Sequence, residues 1–107
     1  MEELLEQLGG QLIGNRAWCQ RTVESLMIGA MGADASLAFF RRRDNKAVIT
    51  GGDRSDLQLA ALETSTAALV LTGNIRPEPG VIDRAEERQV PLILVPDDTL
   101  TTVDRAE

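Results

Sequence analysis

Short apolar runs alternate along this chain with amphipathic stretches, and most turn-forming residues fall at the joints between them. Ala47–Thr50, Ala67–Leu71 and Pro91–Val95 are continuous apolar runs of strand length. Continuous rather than alternating apolarity predicts strands buried on both faces. The runs begin at positions 47, 67 and 91, so successive starts lie 20 and 24 residues apart. That interval holds a strand, a crossover helix and two short loops, which is the βαβ unit. Asp53–Glu63 fills the first interval as a helix with Leu57, Ala60 and Ala61 on one face, and Leu59 and Leu62 widening the stripe. Pro77 and Pro79 introduce a second helix that carries Val81, Ile82 and Ala85.

The first half of the chain is patterned less sharply. Leu4, Leu5 and Leu8 recur at helical spacing over Glu2–Leu8, and Gly9-Gly10 closes that stretch. Gln11–Gly14 reads as a short extended piece, Glu24–Ala30 as a strand, and Asp34–Arg41 as a weaker helix. Pro96-Asp97-Asp98-Thr99 opens a last helix that is still short at Glu107, so a piece cut from a longer polypeptide is one expectation. The pattern predicts an α/β fold in one domain spanning 1–107. Its sheet is mostly parallel, of about four or five strands, with right-handed crossovers and helices on both faces.

Composition narrows this picture. The 107 residues are 43% hydrophobic and 26% charged, which suits a globular domain. With 3% aromatic residues, the core has to be built from Leu, Val, Ile and Ala. A net charge of −6 disfavours nucleic-acid binding, which needs a basic face. The basic run Arg41-Arg42-Arg43 is followed at once by Asp44 and reads as a solvated loop or helix end, with a local anion hook as the sharper alternative. Acidic residues at positions 2 and 3 do not fit a signal peptide, and no apolar run approaches the roughly 18 residues of a membrane span. Cys19 is alone, so no internal disulfide is available, and a cytoplasmic location is expected.

In parallel sheets, ligands gather beyond the carboxyl ends of the strands, where helix amino termini present free N–H groups. Those ends are Gly51, Gly52, Asp53, Arg54 and Ser55 after one strand, Thr72, Gly73 and Asn74 after the next, and Asp97, Asp98 and Thr99 after the third. Glycines at 51, 52 and 73 would admit a ligand close to the backbone. The plainer reading stands beside this one. Asp53 and Asp98 are good N-caps, Asp56 at N3 complements the macrodipole, and Arg54 pairs with a nearby Asp.

Catalytic patterns are mostly missing. The chain has no histidine, so no Ser-His-Asp or Cys-His machinery and no His-ligated metal is available. Cys19 reads as a partly buried thiol, not a nucleophile. The glycines from Gly9 to Gly14 are followed by Asn15-Arg16, without the Lys and hydroxyl of a phosphate-binding loop. The pairs Asp97-Asp98 and Asp53/Asp56 are the one candidate Mg²⁺ site, with helix caps as the plainer account.

Three stretches, Val48–Glu63, Leu69–Asn74 and Val90–Thr99, resemble the DRTGG domain in order and spacing, with a weaker likeness at Ser25–Met31. Asp53 and Arg54 match the first two residues of that family's pattern, and Ser55 stands where Thr is usual. Gly73 matches a glycine, and Asn74 replaces its neighbour. Ser keeps the hydroxyl, and Asn tolerates left-handed backbone almost as glycine does. Such domains occur in the dethiobiotin-synthetase-like region of bacterial phosphotransacetylases and beside CBS domains in regulated pyrophosphatases. A related domain precedes the kinase domain of HPr kinases. The resemblance implies a non-catalytic, usually homodimeric regulatory module that senses a nucleotide or acyl metabolite and works with an enzyme such as a phosphotransacetylase. It implies no cofactor and no catalytic residue. A dimerisation or protein-interaction domain without a small-molecule ligand is the alternative, motivated by the Met-rich stretch Met27–Met31.

Overall fold

The computed structural model describes residues 10–14, 23–28 and 33–96. The helices read at Glu2–Leu8 and beyond Pro96, together with Cys19, lie outside the described residues. Strands β1 (Gln11–Ile13), β2 (Ser25–Ile28), β3 (Lys46–Gly51), β4 (Thr66–Thr72) and β5 (Leu92–Leu94) form one sheet in the order β1-β5-β4-β3-β2. Between them run α1 (Ala33–Phe40), α2 (Ser55–Leu62) and α3 (Pro79–Arg88). Strands β2 to β5 are mutually parallel, and β1 joins the β5 edge antiparallel. The α/β class and mostly parallel sheet are those expected from the pattern.

From β2 to β5 each parallel strand is laid beside its predecessor with no reversal of direction across the sheet. Crossovers of one hand, repeated in one direction, stack their helices on one face. Accordingly α1, α2 and α3 contribute Phe40, Ala60, Ala61, Leu62, Val81 and Ala85 to a single cluster with Val48, Leu69, Leu71, Leu92 and Leu94 of the sheet. The expected arrangement put crossover helices on both faces; those described occupy this one. The opposite face, formed by Ala47, Ile49, Ala68, Val70, Ile93 and Val95, is nevertheless buried as completely. Because β3 and β4 are closed on both faces, their runs are apolar throughout.

Helix α2 lies between α1 and α3, so it buries more of its circumference than an amphipathic stripe predicts. Leu57, Ala60, Ala61 and Leu62 are buried as expected, but Leu59 is 40% exposed and Gln58 is fully buried instead. At 100° per residue, Leu57, Gln58, Ala61 and Leu62 share one side, and Leu59 points away from it. Helix α3 begins with Pro79 at its first turn and ends at Gln89 in a left-handed conformation, φ 56°, where glycine is usual. Arg84 ties α3 to the end of α2 through Glu63 at 2.9 Å, and also meets Glu87 at 3.1 Å.

At the amino edge of the sheet, Lys46 is closed off from solvent. Its Nζ donates to Ser65 O at 2.7 Å, Thr64 Oγ1 at 2.8 Å and Arg43 O at 3.2 Å, which uses all three ammonium protons. Burial lowers the Lys46 pKa, and nearby Asp44 opposes that shift. The side chain joins the α1–β3 loop to the α2–β4 loop. Thr64 and Thr66 hydroxyls also donate to Ala61 O at 2.8 and 2.7 Å, closing the carboxyl end of α2.

Candidate functional site

The parallel register of β3 and β4 sets Gly51 beside Thr72, so the two strands end together. This brings Gly51, Gly52, Asp53, Arg54 and Ser55 to the same edge as Thr72, Gly73 and Asn74. The third expected segment, Asp97, Asp98 and Thr99, lies outside the described residues. Backbone bonds knit this rim: Gly52 N–H donates to Thr72 O at 3.1 Å, and Asn74 N–H donates to Val95 O at 2.9 Å. The turn after β4 thereby spans the ends of β3, β4 and β5.

The glycines serve that closure. A Cβ on Gly52 would collide with Ile75 O and stand 2.8 Å from Ile75 Cβ, so the space left by the missing side chain is filled by this chain's own backbone. The expectation that Gly52 admits a ligand is replaced by a packing role. Gly51 is backed by the Asp53 carboxylate, which lies where its Cβ would point. Gly73 has φ 82° and Asn74 φ 55°, two successive left-handed residues that reverse the chain after Thr72. Here Gly is nearly strain-free, and Asn tolerates αL better than most residues.

The helix after the turn begins later than the pattern predicts. Arg54 N–H bonds to Gly51 O at 3.1 Å, which spends Gly52 and Asp53 on a β-turn. Arg54, not Asp53, is therefore the N-cap of α2, Ser55 is its first residue, and no side chain caps its amino end. Asp56 falls one position earlier in the helix than the N3 expected for it. Its carboxylate meets the Arg54 guanidinium at 3.4 Å through both Nε and Nη2. The Arg54 hydrogen bond, with a smaller contribution from the Leu57 backbone, holds Asp56 below the usual carboxylate range. The pairing of Arg54 with a nearby Asp is present, and both side chains remain about half exposed.

Gln58 is the rim residue that the apolar pattern hid. Its Nε2 donates to Gly51 O at 2.8 Å, while its Oε1 is buried without a partner. A glutamine one turn into a helix, facing a Gly-Gly turn, was the available signal. Thr72 Oγ1 donates to Thr50 O at 3.3 Å, so this hydroxyl is engaged within the sheet. The exposed groups of the rim are therefore Asp53, Gly73, Asn74, Ile75 and Arg76, with Arg54 and Ser55 half-buried beside them.

Two recesses open elsewhere. One, of about 440 Å³, lies between the β1 edge and α3 and is lined by Ile13, Ile82, Ala85, Glu86, Val90 and Leu92. Its polar lining side chain is acidic, so an anion would meet Glu86. The other, of about 340 Å³, sits at the amino edge beside β2. Neither includes a rim residue. Among the described residues, no three His, Cys, Asp or Glu side chains are placed to hold a metal ion, and no helix is long and apolar enough to cross a membrane.

Comparison with known proteins gives this arrangement relatives. An uncharacterised protein of Bacillus subtilis, YtoI, is 30% identical over 99 residues, covering 92% of this chain and 22% of that protein. The fold matches a solved structure of the CBS and DRTGG domains of the regulatory region of Clostridium perfringens pyrophosphatase, complexed with its activator diadenosine tetraphosphate. That match has a TM-score of 0.79 and 19% identity, and covers 99% of this chain and 45% of that one. The chain thus spans about a fifth of the first relative's length and under half of the second's. A family model of the DRTGG domain matches residues 3–107, and the chain belongs to that family.

Proposed function

We propose that this domain is a non-catalytic regulatory module that binds a small anionic metabolite or nucleotide at the carboxyl edge of its sheet. The observation that carries this reading is the uncapped amino end of α2, flanked by the half-exposed Arg54 guanidinium and the Ser55 hydroxyl. The helix dipole attracts anions there, and an arginine beside it adds bidentate recognition. The binding residues on this reading are Arg54, Ser55, Gly73 and Asn74, with Asp97, Asp98 and Thr99 as further candidates. The pyrophosphatase relative carries its DRTGG domain in a regulatory region that responds to a dinucleotide, which makes adenine nucleotides the first ligands to try. A cytoplasmic setting and attachment to a metabolic enzyme, such as a phosphotransacetylase, belong to the same proposal.

A thermal-shift screen with AMP, ATP, diadenosine tetraphosphate, NADH, acetyl-CoA and cyclic dinucleotides tests it. A ligand at 100 times its Kd adds about 2.7 kcal/mol, well within detection. Stabilisation that Arg54→Ala abolishes is the expected result. No stabilisation by any of them at millimolar concentration would sink the reading.

One observation favours a second reading, homodimerisation. Strand β2 is a sheet edge, and it leaves Leu26 36% and Ile28 40% exposed while Met27 is buried in the core. An edge strand with apolar side chains is a template for pairing with another chain. Sedimentation decides it: a monomer at high micromolar concentration removes this reading.

A further inference from the structure

We infer that Gln58 is a positioning residue for the carboxyl rim: it holds the turn that presents Arg54 and Ser55, and so sets anion affinity there without touching the anion. The inference rests on the rim reading proposed above. Gln58 stands four residues after Arg54, on the side of α2 that it shares with Leu57, Ala61 and Leu62, and is fully buried.

Three hydrogen bonds close a ring around the turn. Gly51 O accepts from Arg54 N–H at 3.1 Å and from Gln58 Nε2 at 2.8 Å, which uses both of its lone pairs. Arg54 O accepts in turn from Gln58 N–H at 3.1 Å. Arg54 is thus held through its N–H by Gly51 and through its carbonyl by Gln58. Gly51 is also the last residue of β3 and pairs with Thr72, so the ring is anchored to the sheet. The N-cap residue Arg54 makes no side-chain cap bond. The Gln58 amide, one turn into the helix, makes the tie between helix and turn that a capping side chain would otherwise make.

Stability alone does not account for a glutamine at this position. Its Oε1 is buried with no hydrogen-bond partner, and an orphaned acceptor of that kind is destabilising. The neighbours on its side of the helix are apolar and equally buried. A methionine would fill the same space without an orphan, and Gly51 O would keep its bond from Arg54 N–H. What the methionine would lose is the second bond to Gly51 O, and with it the tie to the turn. A core position that breaks the apolar rule, and gains by it a clasp on the turn beside a candidate site, marks that turn as what is being held. Because Oε1 is closed to solvent, an anion at the rim does not reach it. Gln58 therefore acts on binding through the placement of Arg54 and Ser55.

Amide hydrogen exchange of the 107-residue chain, compared between parent and Gln58→Met without ligand, tests the positioning. Titration of both proteins with the anions of the screen, ATP first, tests its consequence. The expected result is exchange at Arg54 N–H about tenfold faster or more, unchanged exchange in β4, and a urea midpoint equal to or above the parent's. Anion affinity should fall about threefold or more while the midpoint does not, a combination that simple loss of packing does not produce. Gln58→Leu should reproduce the pattern, and it carries the test if Gln58→Met fails to fold. Arg54 exchange as slow as in the parent overturns the inference, and so does parental affinity in a variant whose Arg54 exchange is faster. A parent that binds none of the anions overturns the rim reading and this role with it. That outcome is distinct from the other two, in which the parent binds and only the variant's response departs from expectation.

Discussion

The two ends of the sheet are closed by opposite means. At the carboxyl edge, backbone packs on backbone: Gly52 fits against Ile75, and main-chain bonds join the turns after β3, β4 and β5. At the amino edge, side chains add to the main-chain bond from Glu24 N–H to Asn45 O, with Lys46 bridging two loops and threonine hydroxyls closing the end of α2. The ends of α2 differ likewise, since threonine hydroxyls add to the backbone N–H bonds at its carboxyl end while its N-cap residue Arg54 makes no side-chain cap bond. An edge closed by backbone leaves its side chains to solvent, which is why Asp53 and Asn74 are exposed and Arg54 half-exposed. An edge closed by side chains leaves over those that closure did not use, here Arg42 and Arg43.

The largest effect is expected where a side chain is put against backbone that closes on itself. Gly52→Ala should cost about 3 kcal/mol, because the added methyl meets main-chain atoms of Ile75 that cannot swing aside. Urea unfolding measures it, and a loss below about 1 kcal/mol would mean the turn after β4 relaxes freely. Gly51→Ala is the control. There the obstacle is the Asp53 carboxylate, a movable side chain, and the cost should be clearly smaller.

At the other edge, Lys46→Met should cost about 2 kcal/mol by leaving Arg43 O, Ser65 O and Thr64 Oγ1 without their donor. The pH dependence distinguishes this from simple loss of packing. Burial places the folded pKa of Lys46 below its ordinary 10.5, so between those two values the unfolded chain binds more protons than the folded one. Stability contributed by this group therefore rises as pH climbs toward 10.5, and the gap between parent and Lys46→Met widens there. A gap that narrows over the same range would show that the ammonium, not the amine, is favoured by the fold.

These edges also show what a sequence can and cannot disclose. Apolar runs at regular spacing disclosed β3, β4, β5 and the helices between them, because burial on both faces imposes continuous apolarity. The turns disclosed their glycines but not their purpose, since a glycine that admits a ligand and one that admits Ile75 look alike in sequence. Gln58 and Lys46 stayed hidden for a related reason. A polar side chain within an element reads as solvated until tertiary structure places acceptors around it. The N-cap of α2 was displaced by one residue because Asp53 is a better cap by type than Arg54, and the β-turn closed by Arg54 N–H overrode that preference.

Gly73→Ala brings a smaller change, about 1 kcal/mol, because the strain of φ 82° on a β-carbon is paid locally and Ile75 leaves ordinary contact distance. If the cost equals that of Gly52→Ala, left-handed backbone rather than close approach dominates the carboxyl edge. Chemical denaturation of both variants side by side reads the difference.

The smallest expected effect lies in the exposed pair of the rim. Arg54 and Asp56 are about half exposed, so solvent screens the pair and Arg54→Ala and Asp56→Asn should each leave stability almost unchanged at neutral pH. The pair should instead be visible in acid. Arg54 holds the Asp56 pKa below its ordinary 3.8, so its contribution is complete above that value and is lost as pH falls through the lower folded one. Between those values the unfolded chain takes up the proton first, which gives the parent a steeper acid loss than Asp56→Asn. Parallel acid limbs for the two proteins would show that the pair is not formed in solution. An Arg54 free of Asp56 would then meet an anion unhindered, and the Asp56→Asn variant would bind the rim ligand no more tightly than the parent. A steeper parent limb predicts the opposite: releasing Arg54 from its partner should tighten anion binding, because the guanidinium no longer has to break one ion pair to make another.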